Sequence, residues 1–161
     1  MKIKHLFLLL ICIQLSCVNS EKKTEEIKKT KFEQFVSRIP LLEIPFEQSS
    51  LDEFKHLQME SEFIPEGAAL LGRLSSRDDK HLILYTYPAD VRLPFLEVYS
   101  TNGKKINQLE LYDYMNCDLD QGGNSKFTIT NEFITKETYC NTYVSRVDRD
   151  TIAIEDLVIA K

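Results

Sequence analysis

The chain has 161 residues, with 20 basic and 25 acidic side chains, a formal charge of −5 and no tryptophan. A chain of this length is expected to form one domain with its own core. Its acidity makes nucleic acid an unfavourable partner, because the phosphates would repel it.

The first residues have the pattern of an export signal. Lys2 and Lys4 precede an apolar run over residues 6–13. This run of about eight residues is too short to span a bilayer, since a spanning helix needs about 20. A short apolar run behind basic residues is typical of a secretory signal that is removed from the mature protein. We therefore predict a signal peptide over residues 1–16.

Leu15-Ser16-Cys17 ends this signal and resembles the lipobox of bacterial lipoproteins, although Gln14 stands where an aliphatic residue is usual. The resemblance implies that Cys17 is lipidated and that its acyl chains attach the protein to a lipid bilayer. It also implies a place in the cell envelope outside the cytoplasm, on the periplasmic or surface face of an outer membrane. The alternative is conventional cleavage after Ser20, which would discard Cys17.

Residues 17–23 are predicted to be a lipidated tether, and residues 24–161 a single ectodomain. The ectodomain is expected to begin with a helix over residues 24–39, which Pro40 ends because the residue before a proline is disfavoured in the helical region. One face of this helix is marked by apolar residues at helical spacing, namely Ile27, Phe32, Phe35, Val36 and Ile39.

The next two segments have different signals. Residues 41–46 are apolar but flanked and interrupted by proline, which indicates an edge strand or a wrapping arm. Ser50 to Glu53 has the pattern of a capping box and predicts a second, short helix ending near Met59. We expect both helices to cover a sheet, and a partner-binding stripe would have the same pattern.

From Gly67 the apolar residues recur with a period of two, which is typical of strands. Asn102-Gly103 is the clearest hairpin signal, because these residues adopt positive φ at low cost, and 76–79 and 131–132 are weaker turns. Residues 81–87 are apolar on both faces and predict a central strand. The strands are expected over 68–75, 81–87, 94–100, 104–114, 126–130, 133–140 and 151–159.

These elements predict a mainly β (α+β) fold, namely an antiparallel meander sheet or half-open barrel covered by the N-terminal amphipathic helix and the second short helix. Cys117 and Cys140 remain after the signal and the lipidated cysteine are set aside, and an oxidising compartment favours a disulfide between them. In one meander they would lie two strand spacings apart, about 9–10 Å, so a bridge requires the intervening loop to bend one cysteine back.

Five tyrosines in or near adjacent strands suggest a candidate ligand surface, an aromatic platform for a glycan with Asp113 and Asp118 as hydrogen-bond acceptors. The alternative is an ordinary sheet surface with solvated hydroxyls, and the absence of tryptophan removes the largest stacking side chain. The tyrosines are Tyr85, Tyr87, Tyr99, Tyr112 and Tyr114.

Other chemistry has weaker signals. Residues 118–124 resemble a calcium loop, but Gly122 and Ile129 stand where oxygen ligands are needed, so a solvated loop is favoured. Only His56 and His81 follow the signal, too few soft ligands for a zinc site. The chain has no nucleophile elbow, zinc-protease helix or phosphate-binding loop. We predict no catalytic, cofactor-binding or metal-binding residue and expect that the protein is not an enzyme.

The order of signal, lysine-rich tether, helix, apolar proline segment and hairpins resembles small envelope lipoproteins of Bacteroidota. The resemblance implies a location in the cell envelope and a mainly β fold, and it identifies no catalytic residue in this chain. We therefore expect a membrane-anchored, non-catalytic binding or interaction module with an envelope protein or glycan as partner and no cofactor. The alternative is a secreted inhibitor or hydrolase acting on envelope polymers or glycans.

Overall fold

The strands form two antiparallel sheets. A computed structural model describes residues 29–50, 52–90, 92–113, 123–140 and 147–159. Its helices are α1 (Lys31–Arg38) and α2 (Ile154–Ile159); its strands are β1 (Phe46–Ser49), β2 (Ala69–Arg73), β3 (Lys80–Tyr87), β4 (Leu93–Ser100), β5 (Lys105–Glu110), β6 (Gly123–Ile129), β7 (Phe133–Cys140) and β8 (Val147–Ala153). Sheet A has the order β2-β3-β4-β5, and sheet B has the order β1-β6-β7-β8.

The mainly β class is therefore confirmed, whereas the single meander or half-open barrel is corrected to two sheets packed face to face. Leu84 and Leu96 of sheet A share one apolar core with Phe127 and Ile134 of sheet B. The chain leaves sheet A after β5 and enters sheet B at β6. The period of two indicates which side chains share a face, and it is the same whichever sheet the strand joins, so the pattern could not locate this break.

Strand β3 lies inside sheet A and is covered on both faces, as its sequence predicts. Leu82 and Leu84 face the core between the sheets, while Ile83 and Tyr85 face a second core beneath α1. All four are at most 1% exposed. Each such burial stabilises the fold by about 1.5–3 kcal/mol, which is why this strand is apolar at nearly every position.

Helix α1 covers the outer face of sheet A. Its N-cap is Thr30, whose side chain accepts from the Glu33 amide at 3.1 Å while the Glu33 carboxylate accepts from the Thr30 amide at 2.7 Å. This helix begins at Lys31, within the predicted range 24–39, and residues 1–28 lie outside the described part of the chain. Its buried side chains are Phe32, Phe35 and Val36.

The predicted second helix is wrong, since none of residues 52–60 is helical. Asp52 accepts a hydrogen bond from the Ser49 amide at 3.0 Å and closes a turn at the end of β1. The Leu57 amide then donates to the Leu70 carbonyl at 2.8 Å, so the segment runs along the edge of β2. Pairing with this edge and packing beside α1 outweigh the local capping signal. We call α1 and residues 57–64 the covering layer of sheet A.

Residues 40–45 connect the edges of the two sheets, as the wrapping-arm prediction requires. The Leu42 amide donates to the Arg73 carbonyl at 2.9 Å, and the Arg73 amide donates to the Pro40 carbonyl at 3.1 Å. After the cis bond between Ile44 and Pro45, the chain forms β1 beside β6. Gly72 permits this approach, because a Cβ there would lie 2.5 Å from Leu42 Cδ2.

Helix α2 closes the core on the side opposite residues 40–45, beside β5 and β8. The sequence predicts a strand over 151–159 here. Strand β8 ends at Ala153, and Ile154, Leu157 and Val158 then turn one apolar face into the core between the sheets. Asn107 of β5 donates to the Leu157 carbonyl at 3.1 Å. The spacing of these three residues is helical, and the strand prediction overlooked it. None of the helices in the described ranges combines the length and apolar character needed to cross a membrane.

The hairpin turns follow their sequence signals. Gly103 has φ +85°, and its amide donates to the Ser100 carbonyl at 2.9 Å between β4 and β5. Asp78 and Asp79, with φ 45° and 58°, turn the chain ahead of β3. The predicted turn at 131–132 joins β6 to β7.

Candidate functional site

The predicted tyrosine platform is not exposed. Tyr85 and Tyr99 are buried beneath the covering layer, at 0% and 5% exposure, and Tyr87 is half-buried beside them. Tyr112 lies in the other core, between the sheets. Tyr114 is outside the described residues. The predicted platform is therefore corrected. The period of two in the sequence places three tyrosines on one face of sheet A, but the covering layer lies over that face.

The same face holds a buried carboxylate, Glu97, which is not among the site residues predicted from the sequence. Its side chain is 0% exposed. The Tyr87 hydroxyl donates to Glu97 Oε1 at 2.8 Å, the Tyr99 hydroxyl donates to Glu97 Oε2, and the Lys105 ammonium lies 3.1 Å from Oε1. The available signal was a single acid within the apolar run Leu96-Glu97-Val98-Tyr99. We call these four residues the Glu97 cluster: Tyr87, Glu97, Tyr99 and Lys105.

Burial and the hydrogen bonds to Glu97 raise the pKa values of Tyr87 and Tyr99 above that of a free phenol, so both hydroxyls are neutral donors at pH 7. Lys105 is 45% exposed and is the most exposed member of the cluster. It also donates to Gln108 Oε1 at 3.0 Å. Glu97 is thus shielded from solvent, and its three donors link strands β3, β4 and β5.

A second polar cluster lies between the sheets. Lys136 of β7 is 8% exposed, and its ammonium contacts Asp113 Oδ1 at 2.6 Å and the Glu110 carbonyl at 3.2 Å. The Ser125 hydroxyl donates to the Asp113 carbonyl. These contacts join the chain that leaves β5 to strands of sheet B. Asp113, predicted as an acceptor for a glycan, instead pairs with a lysine, and Asp118 lies outside the described residues.

Of the three cysteines with a predicted role, the structure describes one, Cys140. Cys140 ends β7 and is 8% exposed. Cys117 and Cys17 lie outside the described residues, so the pairing of Cys117 with Cys140 and the lipidation of Cys17 stay predictions. The separation estimated from one meander does not apply, because β5 and β7 belong to different sheets.

The described residues form no metal-binding group. Within the described ranges, no group of three or more His, Cys, Asp or Glu side chains is placed to hold a metal ion. Most of the calcium-like loop lies outside these ranges, and its last two residues, Gly123 and Asn124, belong to β6. Comparison with protein families, curated proteins and solved structures finds no match for the chain.

Proposed function

We propose that the protein is a lipid-anchored lipoprotein of the cell envelope whose ectodomain is a non-catalytic binding or interaction module. The observation that carries the proposal is the N-terminal pattern, in which two lysines, a short apolar run and Leu15-Ser16-Cys17 occur in the order of a lipoprotein signal. Two or more acyl chains on Cys17 would hold the protein firmly to a bilayer, since one chain binds only marginally.

The two polar clusters support a non-catalytic role. The acid in the Glu97 cluster is shielded from solvent and hydrogen-bonded to two tyrosines. The ammonium of Lys136 is likewise engaged by Asp113 and the backbone. A general acid or base must reach the proton that it transfers, within hydrogen-bond distance of a bound substrate. Both clusters instead join neighbouring elements of the fold, as parts of a rigid scaffold do.

We propose Cys117 as the disulfide partner of Cys140. Cys140 pairs with Gly123 across β6 and β7, and Cys117 precedes Gly123 by six residues. Such a segment extends at most about 20 Å, and it can fold back to bring the two Cα atoms within bridging distance. The bridge would close a loop of the chain and suits an oxidising envelope compartment.

Intact-mass and N-terminal peptide mass spectrometry of the mature protein, purified without reductant, tests both covalent predictions. We expect an N-terminus at Cys17 carrying acyl chains and a peptide that links Cys117 to Cys140. The variant Cys17→Ala should lose the acyl mass and leave the membrane fraction. A mature N-terminus at Glu21 without fatty acid would contradict the anchor.

The non-catalytic role has a separate test. The purified protein, incubated with peptidoglycan or envelope glycans, should release no products above the level of the variant Glu97→Gln. Retention of an envelope protein or glycan by both wild type and Cys17→Ala would support a binding module, because the ectodomain is the same in both. Turnover of either polymer would refute it.

A further inference from the structure

The first described residues show where the N-terminal tether reaches the domain. The Thr30 hydroxyl, at the start of α1, donates to the Thr101 carbonyl at 2.8 Å. Thr101 lies in the turn between β4 and β5. The chain that comes from Cys17 therefore enters the domain beside this turn.

Two further turns lie at the same end of the molecule. Lys80 pairs with Ser100, which brings the turn before β3 beside the turn after β4. Arg77 donates a hydrogen bond to the Asn131 carbonyl, in the turn between β6 and β7, and so links the two sheets here. We call this region the tether end, defined by Thr30 and residues 76–79, 101–104 and 130–132.

The tether end carries exposed apolar side chains. Leu41 is 52% exposed and Phe133 is 45% exposed, two of the three large hydrophobic residues that are exposed in the described part of the chain. Leu41 borders a groove that reaches Arg77 and Asn131, and Phe133 directly follows the turn at 130–132. The apolar lining of this groove is Leu41, Leu42, Ile44, Leu74 and Ile154.

Charge at the tether end is close to balance, although the chain as a whole is acidic. Its three turns contain two cations, Arg77 and Lys104, and three anions, Asp78, Asp79 and Glu132, and Lys80 directly follows the first turn. A balanced surface with protruding apolar side chains suits a lipid surface whose headgroups carry no net charge. An excess of acids there would instead be repelled by anionic lipids.

The short segment between Cys17 and Thr30 keeps this end close to the anchor. Residues 18–29 separate Cys17 from Thr30, and such a segment reaches at most about 40 Å at full extension. Confinement within this distance raises the effective concentration of the tether end at the bilayer, so that weak apolar contacts suffice for docking.

From these observations we infer that the tether end rests on the bilayer, with Leu41 and Phe133 inserted among the headgroups and upper acyl chains. The inference rests on the proposed lipid anchor. It assigns the lipid surface as the occupant of the apolar groove and leaves the opposite end, with Tyr139 and Cys140, directed away from the membrane.

The test uses the absence of tryptophan from the chain. The variants Phe133→Trp and Tyr139→Trp each place one tryptophan on strand β7, at positions about 20 Å apart along the strand. Each full-length protein is purified from membranes with its own acyl chains and reconstituted in phosphatidylcholine vesicles with brominated acyl chains. We expect Phe133→Trp to lose about half its emission, as at the depth of an interfacial side chain, and Tyr139→Trp to change little. Adding Leu41→Asp to Phe133→Trp should abolish the quenching.

The outcomes separate the inference from its premise. Acylated protein that floats with the vesicles but shows equal quenching at both positions would overturn the docking and leave the anchor intact. Stronger quenching at position 139 would also overturn it, since the opposite end would then face the lipid. Protein without acyl chains, which fails to float, would overturn both.

Discussion

A single charged residue in a strand has a different role depending on which face it occupies. Glu97 lies on a covered face and receives hydrogen bonds from two tyrosines and an ammonium. Glu47 lies on the outer face of sheet B, is 58% exposed and pairs with Lys126 at 2.9 Å. Removing one member of a buried polar group leaves its partners unsatisfied, whereas an exposed pair exchanges its contact for water.

We therefore expect Glu97→Gln to lower the free energy of unfolding by about 2 kcal/mol, because the amide satisfies fewer donors and leaves Lys105 without its counter-charge. The matched substitution Glu47→Gln should cost less than about 1 kcal/mol. Urea denaturation followed by circular dichroism measures both. Equal losses would show that the Glu97 cluster contributes no more than a surface ion pair.

The turn between β4 and β5 and helix α1 depend on one another. Gly103 has positive φ, and a Cβ at this position would lie 2.9 Å from ring atoms of Phe32. Thr30 also binds this turn through Thr101. The Asn102-Gly103 signal thus serves two purposes, since the glycine permits both the sharp turn and the close approach of the helix.

This dependence predicts that Gly103→Ala is more destabilising than Gly67→Ala. Both glycines have positive φ, +85° and +75°, but a Cβ at residue 67 would meet Pro88 at an ordinary 3.7 Å. The shared backbone strain costs about 1–2 kcal/mol, and crowding against Phe32 adds about 1–3 kcal/mol at residue 103 alone. Thermal unfolding of the two variants measures the difference. Matching midpoints would mean that Phe32 yields without cost.

Both described histidines lie where sheet A meets the residues that cover it. His56 is hydrogen-bonded to the Thr86 hydroxyl at 2.9 Å, and the His81 ring lies 5.8 Å from the Phe32 ring. Burial lowers the pKa of both, aided by Arg92 at His56 and by Arg73 at His81. Around His81, Glu33 and Asp79 act in the opposite direction but do not reverse the shift.

Stability should therefore fall as the pH drops below about 6.5, the value for an unperturbed histidine. The unfolded chain binds protons there before the folded chain does, so stability is complete above this pH and is lost towards the lowered folded-state pKa values. Urea unfolding between pH 7.5 and 5 measures the slope. The double variant His56→Gln, His81→Gln should flatten it, while an unchanged slope would assign the effect to carboxylates.

Much of the local structure could be predicted from the sequence. The positions of β2 to β7, the hairpin at Asn102-Gly103, the arm over residues 41–46 and the burial of β3 on both faces follow from hydrophobic period and turn chemistry. Each of these features depends on residues close together in the chain, so one sequence is enough to predict it. The lipobox-like pattern that ends at Cys17 is also formed by neighbouring residues, and the lipidation that it implies remains a prediction.

Tertiary structure alone decided which sheet each strand joins, that the segment around Leu57 runs along β2 instead of forming a helix, and that Tyr85 and Tyr99 lie beneath α1. It also decided that Glu97 meets two phenols. Each of these outcomes depends on residues far apart in the chain, whose packing free energy exceeds the small local preferences that a sequence pattern reports.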